Sequence, residues 1–234
     1  NHLLNNDLIR FRSKDFNFNI NPSFNFEVSK HNGENSDNIG WINDRGVFIN
    51  GNITDKIWFY TGFHEIQSNF SDYRRDRITE LGNTTIPGIS RGKTFKDEGG
   101  LDYAYAEGYV TYLPSQYFRF QLGHGKNFIG DGYRSLLLSD NAQNYPYFKI
   151  TTNVWNVKYV MMWSQQYYLN PDHLGNTRYP KKWNVMHYLD WSVTKWLNVA
   201  FFETINWGED TLGTHRGFEF NYINPCIFLR PVEF

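Results

Sequence analysis

The sequence predicts an all-β protein, an antiparallel transmembrane β-barrel of the outer-membrane type. Three observations predict it: period-two alternation of apolar and polar residues, connections that alternate between short and long, and apolar runs too short for a membrane helix. The clearest alternating segment sets Trp183, Val185, Leu189, Trp191 and Val193 on one face and Asn184, Tyr188, Asp190 and Ser192 on the other. His187 is the lone polar residue on the first face. Phe118, Phe120 and Leu122 alternate in the same way with Arg119 and Gln121, and Val157, Tyr159, Met161 and Trp163 alternate with Lys158 and Ser164. Phe16, Phe18 and Ile20 alternate with Asn17 and Asn19, whereas the pattern around Leu197 to Asn206 is mixed and leaves Glu203 without a face.

Connections carry the second signal. Thr54 to Lys56, Pro114 to Gln116, Val154 to Asn156 and Thr194 to Trp196 are short. Between them lie longer polar stretches, residues 68–100, 125–147, 169–182 and 207–217. In an outer-membrane barrel alternate connections face the periplasm as tight turns and the exterior as long loops, so this parity is expected there and has no cause in a soluble sandwich. The whole of residues 1–234 then reads as one barrel domain with 68–100 and 125–147 as its long extracellular loops. Segments of about 9 to 12 residues suit a bilayer crossing better than the shorter strands of ordinary globular sheets.

Composition agrees. The chain of 234 residues holds 20 Phe, 16 Tyr and 8 Trp, too many rings for a disordered polymer. Its mean hydropathy is nevertheless −0.60, as alternation between a dry and a wet face would produce. Trp58, Tyr112, Trp155, Trp183 and Trp196 fall where strands meet turns and are read as aromatics at the membrane interface. A net charge of −1 gives no field to draw the chain onto nucleic acid. The single Cys226 permits no internal disulfide, and no Cys/His spacing points to zinc.

Motifs are sparse. Gly92-Lys93-Thr94 resembles the end of a phosphate-binding loop, but the first glycine of that motif would fall on Pro87. The run Gly123 to Arg134 is dense in glycine and could cradle an anion or a glycan through backbone N–H groups, with Lys126, Asp131, Tyr133 and Arg134 as contacts; its alternative is a kinked loop. His124 with Asp131 and His64 with Glu65 lack a third partner for metal or acid–base work. Glu107 and Glu203 could line a lumen. Asp72 to Arg77 reads as a solvated loop face. Three glycosylation sequons, at Asn52, Asn69 and Asn83, are expected by chance in a chain so rich in asparagine. No catalytic, cofactor-binding or metal-binding residue is nominated, and no cofactor is expected.

The stretch Gly123 to Asp140, with Asn144-Tyr145-Pro146 and Thr151 to Trp155 after it, resembles the outer-membrane β-barrel family of gliding-motility protein RemB, related to capsule-assembly protein Wzi. Two further passages carry the resemblance: Arg45 to Gly51 leading into Trp58 to Thr61, and Arg216 to Phe218 leading into Asn224-Pro225 and Phe228 to Pro231. It implies a non-enzymatic integral barrel of gliding Gram-negative bacteria with a binding or scaffold role in surface polysaccharide attachment, gliding motility or a larger envelope assembly. Members of that family have more strands than the roughly ten counted here, so the chain is expected to be incomplete. The expected location is the bacterial outer membrane, with its lipid, surface polysaccharide and other outer-membrane subunits as partners. The rival readings are a general diffusion porin and a secreted glycan-binding β protein.

Overall fold

Nearly all of the regular structure is one antiparallel sheet. In the computed structural model, residues 7–30, 39–81, 85–89, 91–95, 99–167, 180–208, 210–211, 214–215 and 217–225 are described. Ten strands follow one another as a meander: β1 (Ile9–Arg12), β2 (Phe16–Lys30), β3 (Ile39–Ile53), β4 (Ile57–Asn69), β6 (Gly100–Tyr112), β7 (Phe118–Gly125), β8 (Tyr145–Val154), β9 (Val157–Tyr167), β10 (Lys181–Thr194) and β11 (Leu197–Gly208). An eleventh, β5 (Lys93–Phe95), pairs with the first residues of β6. β7 pairs with β6 only from Gly108 onward, and β5 satisfies part of the edge left beyond it. A two-stranded ribbon, β12 (Asp210–Thr211) with β13 (Thr214–His215), follows the sheet.

The expected parity of connections is present: tight turns join β3 to β4, β6 to β7, β8 to β9 and β10 to β11, all at one end of the sheet. At the other end, 30 residues separate Asn69 from Gly100 and 19 separate Gly125 from Tyr145. The structure departs from the expected barrel in two ways. The closed barrel is not formed by the described residues, because β1 and β11 stand at opposite ends of the strand order and do not pair. β1 has 4 residues against 12 in β11, too short a ladder to zip the two edges together. Helix is also present, as α1 (Asp72–Glu80) inside the first long connection. Its sequence is so charged that only Ile78 is buried, which is why periodicity gave no helical signal there.

Register gives the sheet two unlike faces. Asn50, Tyr60, Tyr109 and Gly123 are consecutive partners, so they share one face, and Tyr147, Ser164, Asn184 and Asn206 continue it. This face is rich in Asn, Tyr, Ser and charge. The opposite face carries Phe18, Ile49, Phe59, Val110, Leu122, Phe148, Trp163, Val185 and Ile205. The expected alternation in β2, β7, β9 and β10 is borne out by these pairings. Glu203, which the sequence could not place, pairs with His187 on the apolar face, and Glu107 stands on the polar one.

Burial is reversed relative to a water-soluble sheet. Both long connections fold onto the polar face and build its core there. Ile78 and Ile86 of the first pack with Ile66, Leu101 and Tyr103, while Ile129 and Leu138 of the second pack on Tyr145, Tyr147, Met162 and Met186. The apolar face is largely bare, with Phe24 77% and Leu122 65% exposed. Among the described residues its cover lies beside β9 to β11, where Tyr222 packs on Trp207, its carbonyl accepts the Trp163 indole N–H at 3.1 Å, and the Pro225 carbonyl accepts the Tyr159 hydroxyl at 2.8 Å.

Met162 is fully buried between the second connection and β10. Met162→Ala is therefore expected to cost about 2–5 kcal/mol, measured as a lower chemical-denaturation midpoint at unchanged slope. An unchanged midpoint would mean that the polar-face core does not stabilise the sheet.

Candidate binding trough on the polar face

Three contiguous cavities run along the polar face beneath the two long connections. The first, about 320 Å³, lies between Arg74, Gly88 and Ile89 of the first connection and Asp44, Tyr105 and Glu107 of the sheet. The second, about 240 Å³, is walled by Tyr60, Tyr109 and Tyr147 with Glu107, Gln121 and Lys126 among them. The third, about 410 Å³, reaches from Arg119 and Lys149 across to Tyr188 and Asp190. Glu107 and Lys126 line the first two, and Gln121, Asn127 and Lys149 line the second and third, so the three form one trough.

Strand geometry sets its chemistry. Tyr60 and Tyr109 are register partners on β4 and β6, and their rings stack at 5.6 Å. The Tyr60 hydroxyl donates to Glu107 Oε1 at 3.1 Å. Gly123, the partner of Tyr109, keeps room for its neighbour: a Cβ there would sit 2.7 Å from the Tyr147 hydroxyl and 2.9 Å from Tyr109 Cβ. At one end of the trough His64 Nδ1 and Asp44 Oδ1 are 2.8 Å apart, and the imidazole stacks on Tyr105 at 4.8 Å. Glu65, the partner considered for His64 from the sequence, follows it in β4 and so points to the other face.

Lys126 links the two connections. Its ammonium donates to the Gly88 carbonyl, and Asn144 Nδ2 donates to the Ala106 carbonyl at 2.9 Å. Burial pulls the Lys126 ammonium below its ordinary pKa, against the opposing charges of Asp140 and Glu107. Gly88 has φ +73°, and a Cβ there would meet Asn141 Oδ1 at 3.1 Å, so glycine suits this contact in both backbone and space.

The four loop contacts expected from the sequence are not brought together. Lys126 lines the first and second cavities, and Asp131 lines the third. Tyr133 is 85% exposed at the tip of the connection, with the Arg134 guanidinium 5.2 Å from its ring centre. Neither lines the trough. The kink reading holds at Gly130 and Gly132, whose φ values of +136° and +98° favour glycine. His124 Nδ1 lies 3.2 Å from the Ala106 carbonyl and is not paired with Asp131.

The turn aromatics also separate. Trp155 and Trp196 project from the tight turns, 98% and 82% exposed, and Tyr112 lies near the same end on the apolar face. Trp58 is at that end but belongs to the polar-face parity, its indole donating to the Asp55 carbonyl at 3.3 Å. Trp183 is at the other end, edge-on to Phe218. Sequence reading missed Tyr60, Tyr109, Tyr147, Gln121 and Lys149, whose only signal is their place on the wet side of alternating strands. Among the described residues no group of three or more His, Cys, Asp or Glu side chains could hold a metal ion. Asn83, Cys226, Arg216 and Phe228 to Phe234 lie outside the described residues. Compared with family models, curated proteins and solved structures, the chain matches none of them.

Replacing Lys126 by Met removes the link to Gly88 while keeping most of the side-chain volume. A hydrogen bond from a charged donor contributes about 1.5 kcal/mol or more, so amide exchange around Gly88 and over 126–144 should quicken roughly tenfold. Unchanged exchange would show that this hydrogen bond does not hold the two connections together.

Proposed function

We propose that this chain belongs to a non-enzymatic outer-membrane β-barrel protein that binds or scaffolds surface material, in polysaccharide attachment, gliding or a larger envelope assembly. The observation that carries the reading is the reversal of burial between the two faces. Leu122, Phe63, Phe201, Phe24 and Phe26 are all more than half exposed on the apolar face, whereas Tyr145, Met162 and Met186 are buried on the polar one. Bare apolar area on this scale is costly in water and is normal toward lipid.

Two details support it. On β4, β7 and β9 the apolar run ends at Phe63, Leu122 and Trp163, and Glu65, His124 and Gln165 follow at the next outward positions, all toward the long connections. That is how a band would end at a headgroup region. Trp155 holds φ at 52°, a left-handed angle for which Asn or Gly is the cheaper choice, so the tight turn does not account for the ring. An interfacial anchor does.

The trough supports a binding role over a diffusion pore, because the two long connections occupy the polar face with packed side chains. Tyrosine faces interleaved with amide, carboxylate and ammonium groups suit a hydroxylated polymer, which stacks its C–H faces on rings and exchanges hydrogen bonds with the polar groups. The resemblance in Gly123 to Asp140 points the same way.

Outer-membrane fractionation with heat-modifiable migration tests the location; solubility in plain buffer would refute it. Leu189, on the apolar face between Tyr159 and Phe201, supplies the residue-level check. Leu189→Arg should impair assembly by about 2–4 kcal/mol in lipid. Assembly equal to the unaltered protein would show that this face does not meet lipid.

A further inference from the structure

We propose that the third cavity of the trough binds a small ligand carrying one oxyanion beside hydroxyl groups, a sugar acid or a sugar phosphate. The proposal rests on the polar face being a binding surface and names the ligand class for it. The cavity, about 410 Å³, has unlike ends. Arg119, Lys149 and Asn127 form one end, and Asp190, Asp131 and Tyr188 line the other, with Lys158 facing Asp190 across the β9–β10 ladder.

Asn127 singles out the first end. Lys149 Nζ donates to its Oδ1 at 2.7 Å, which fixes the amide so that Nδ2 is the free donor. Asn127 is 8% exposed, and among the described residues Nδ2 has no partner within hydrogen-bond distance. The neighbouring Tyr145 hydroxyl accepts the Asn127 backbone N–H at 3.2 Å and also lies near the Asn127 amide, at more than hydrogen-bond distance from Nδ2. A buried amide donor without an acceptor, beside a lysine and with an arginine on the same wall, is a set of donors awaiting a group that only accepts. Register makes the grouping: Gln121 opposes Lys149, and Arg119 opposes Thr151 on the same face. A carboxylate or phosphate would meet Asn127 Nδ2, Lys149 and Arg119, while the carboxylates and phenol at the far end would take hydroxyl protons. Among the described residues no ion pair occupies Arg119, Lys149 or Lys158.

The full chain, purified from whichever fraction holds it, is titrated calorimetrically with glucuronate, glucose 6-phosphate and glucose. At least one charged ligand should bind ten-fold or more tightly than glucose, with affinity falling as salt is raised; the preferred one identifies carboxylate or phosphate as the group. Lys149→Gln and, separately, Arg119→Gln should each weaken that binding about ten-fold, while Arg12→Gln, on distant β1, should not. Equal affinity for glucose, or full affinity in folded Lys149→Gln and Arg119→Gln proteins, would overturn the proposal. Retained circular dichroism shows that the variants are folded. Charge-selective binding by a protein found outside the membrane would sink the membrane reading and leave this site standing. Membrane location without charge-selective binding would do the reverse.

Discussion

Every feature of this molecule depends on strand register. Side chains alternate with period two, so a slip of one residue in any ladder would carry that strand's whole apolar set to the other face. The pairing from β2 through β11 avoids any such slip: Phe18, Phe59, Leu122, Phe148 and Val185 fall on one side and Asn19, Tyr60, Gln121, Lys149 and Asn184 on the other. Even the irregularity between Ser192 and Thr194 lies at the turn, where the faces no longer matter. Once the faces are separated, the rest is forced. Among the described residues the apolar side is covered by Phe218, Tyr222 and Pro225 beside β9 to β11, and the polar side carries the two long connections.

The long connections exploit that asymmetry. Each contributes a few isolated apolar side chains, Ile78 and Ile86 from one and Ile129 and Leu138 from the other, that insert among tyrosines and methionines of the polar face. A polar face with tyrosine on it can bury apolar groups under the rings and still satisfy hydroxyls, as Tyr145 does by accepting the Asn127 N–H. The trough is therefore the space that the loops leave unfilled between Tyr60, Lys149 and Asp190.

The sheet was legible in the sequence where alternation is uninterrupted, as from Trp183 to Val193, and in the tight turns that fix parity. Glu203 was not, since a carboxylate on an apolar strand face breaks the pattern, and only the register shows it opposite another polar residue, His187. α1 was hidden because Asp72 to Arg77 is all polar but for Tyr73, leaving Ile78 as its single buried contact. The candidate site was half visible. Gly130 and Gly132 marked the kink and Lys126 its base, but the same motif drew attention to Tyr133 and Arg134 at the solvent tip. The partnership of Asn127 with Lys149 spans two strands' worth of chain and exists only through the β7–β8 ladder. Sequence order carries no trace of it.

The central claim is that the apolar face meets lipid while the polar face meets loops and water. Nitroxide labels placed singly at 187–193 on β10 and 197–203 on β11, with the protein in bilayers, read this directly through their accessibility to oxygen and to a water-soluble nickel complex. Oxygen accessibility should peak at Leu189, Trp191, Val199 and Phe201, and fall at Tyr188, Asp190, Ala200 and Phe202, with a period of two. High nickel accessibility at Leu189 and Phe201, or no alternation at all, would contradict the account.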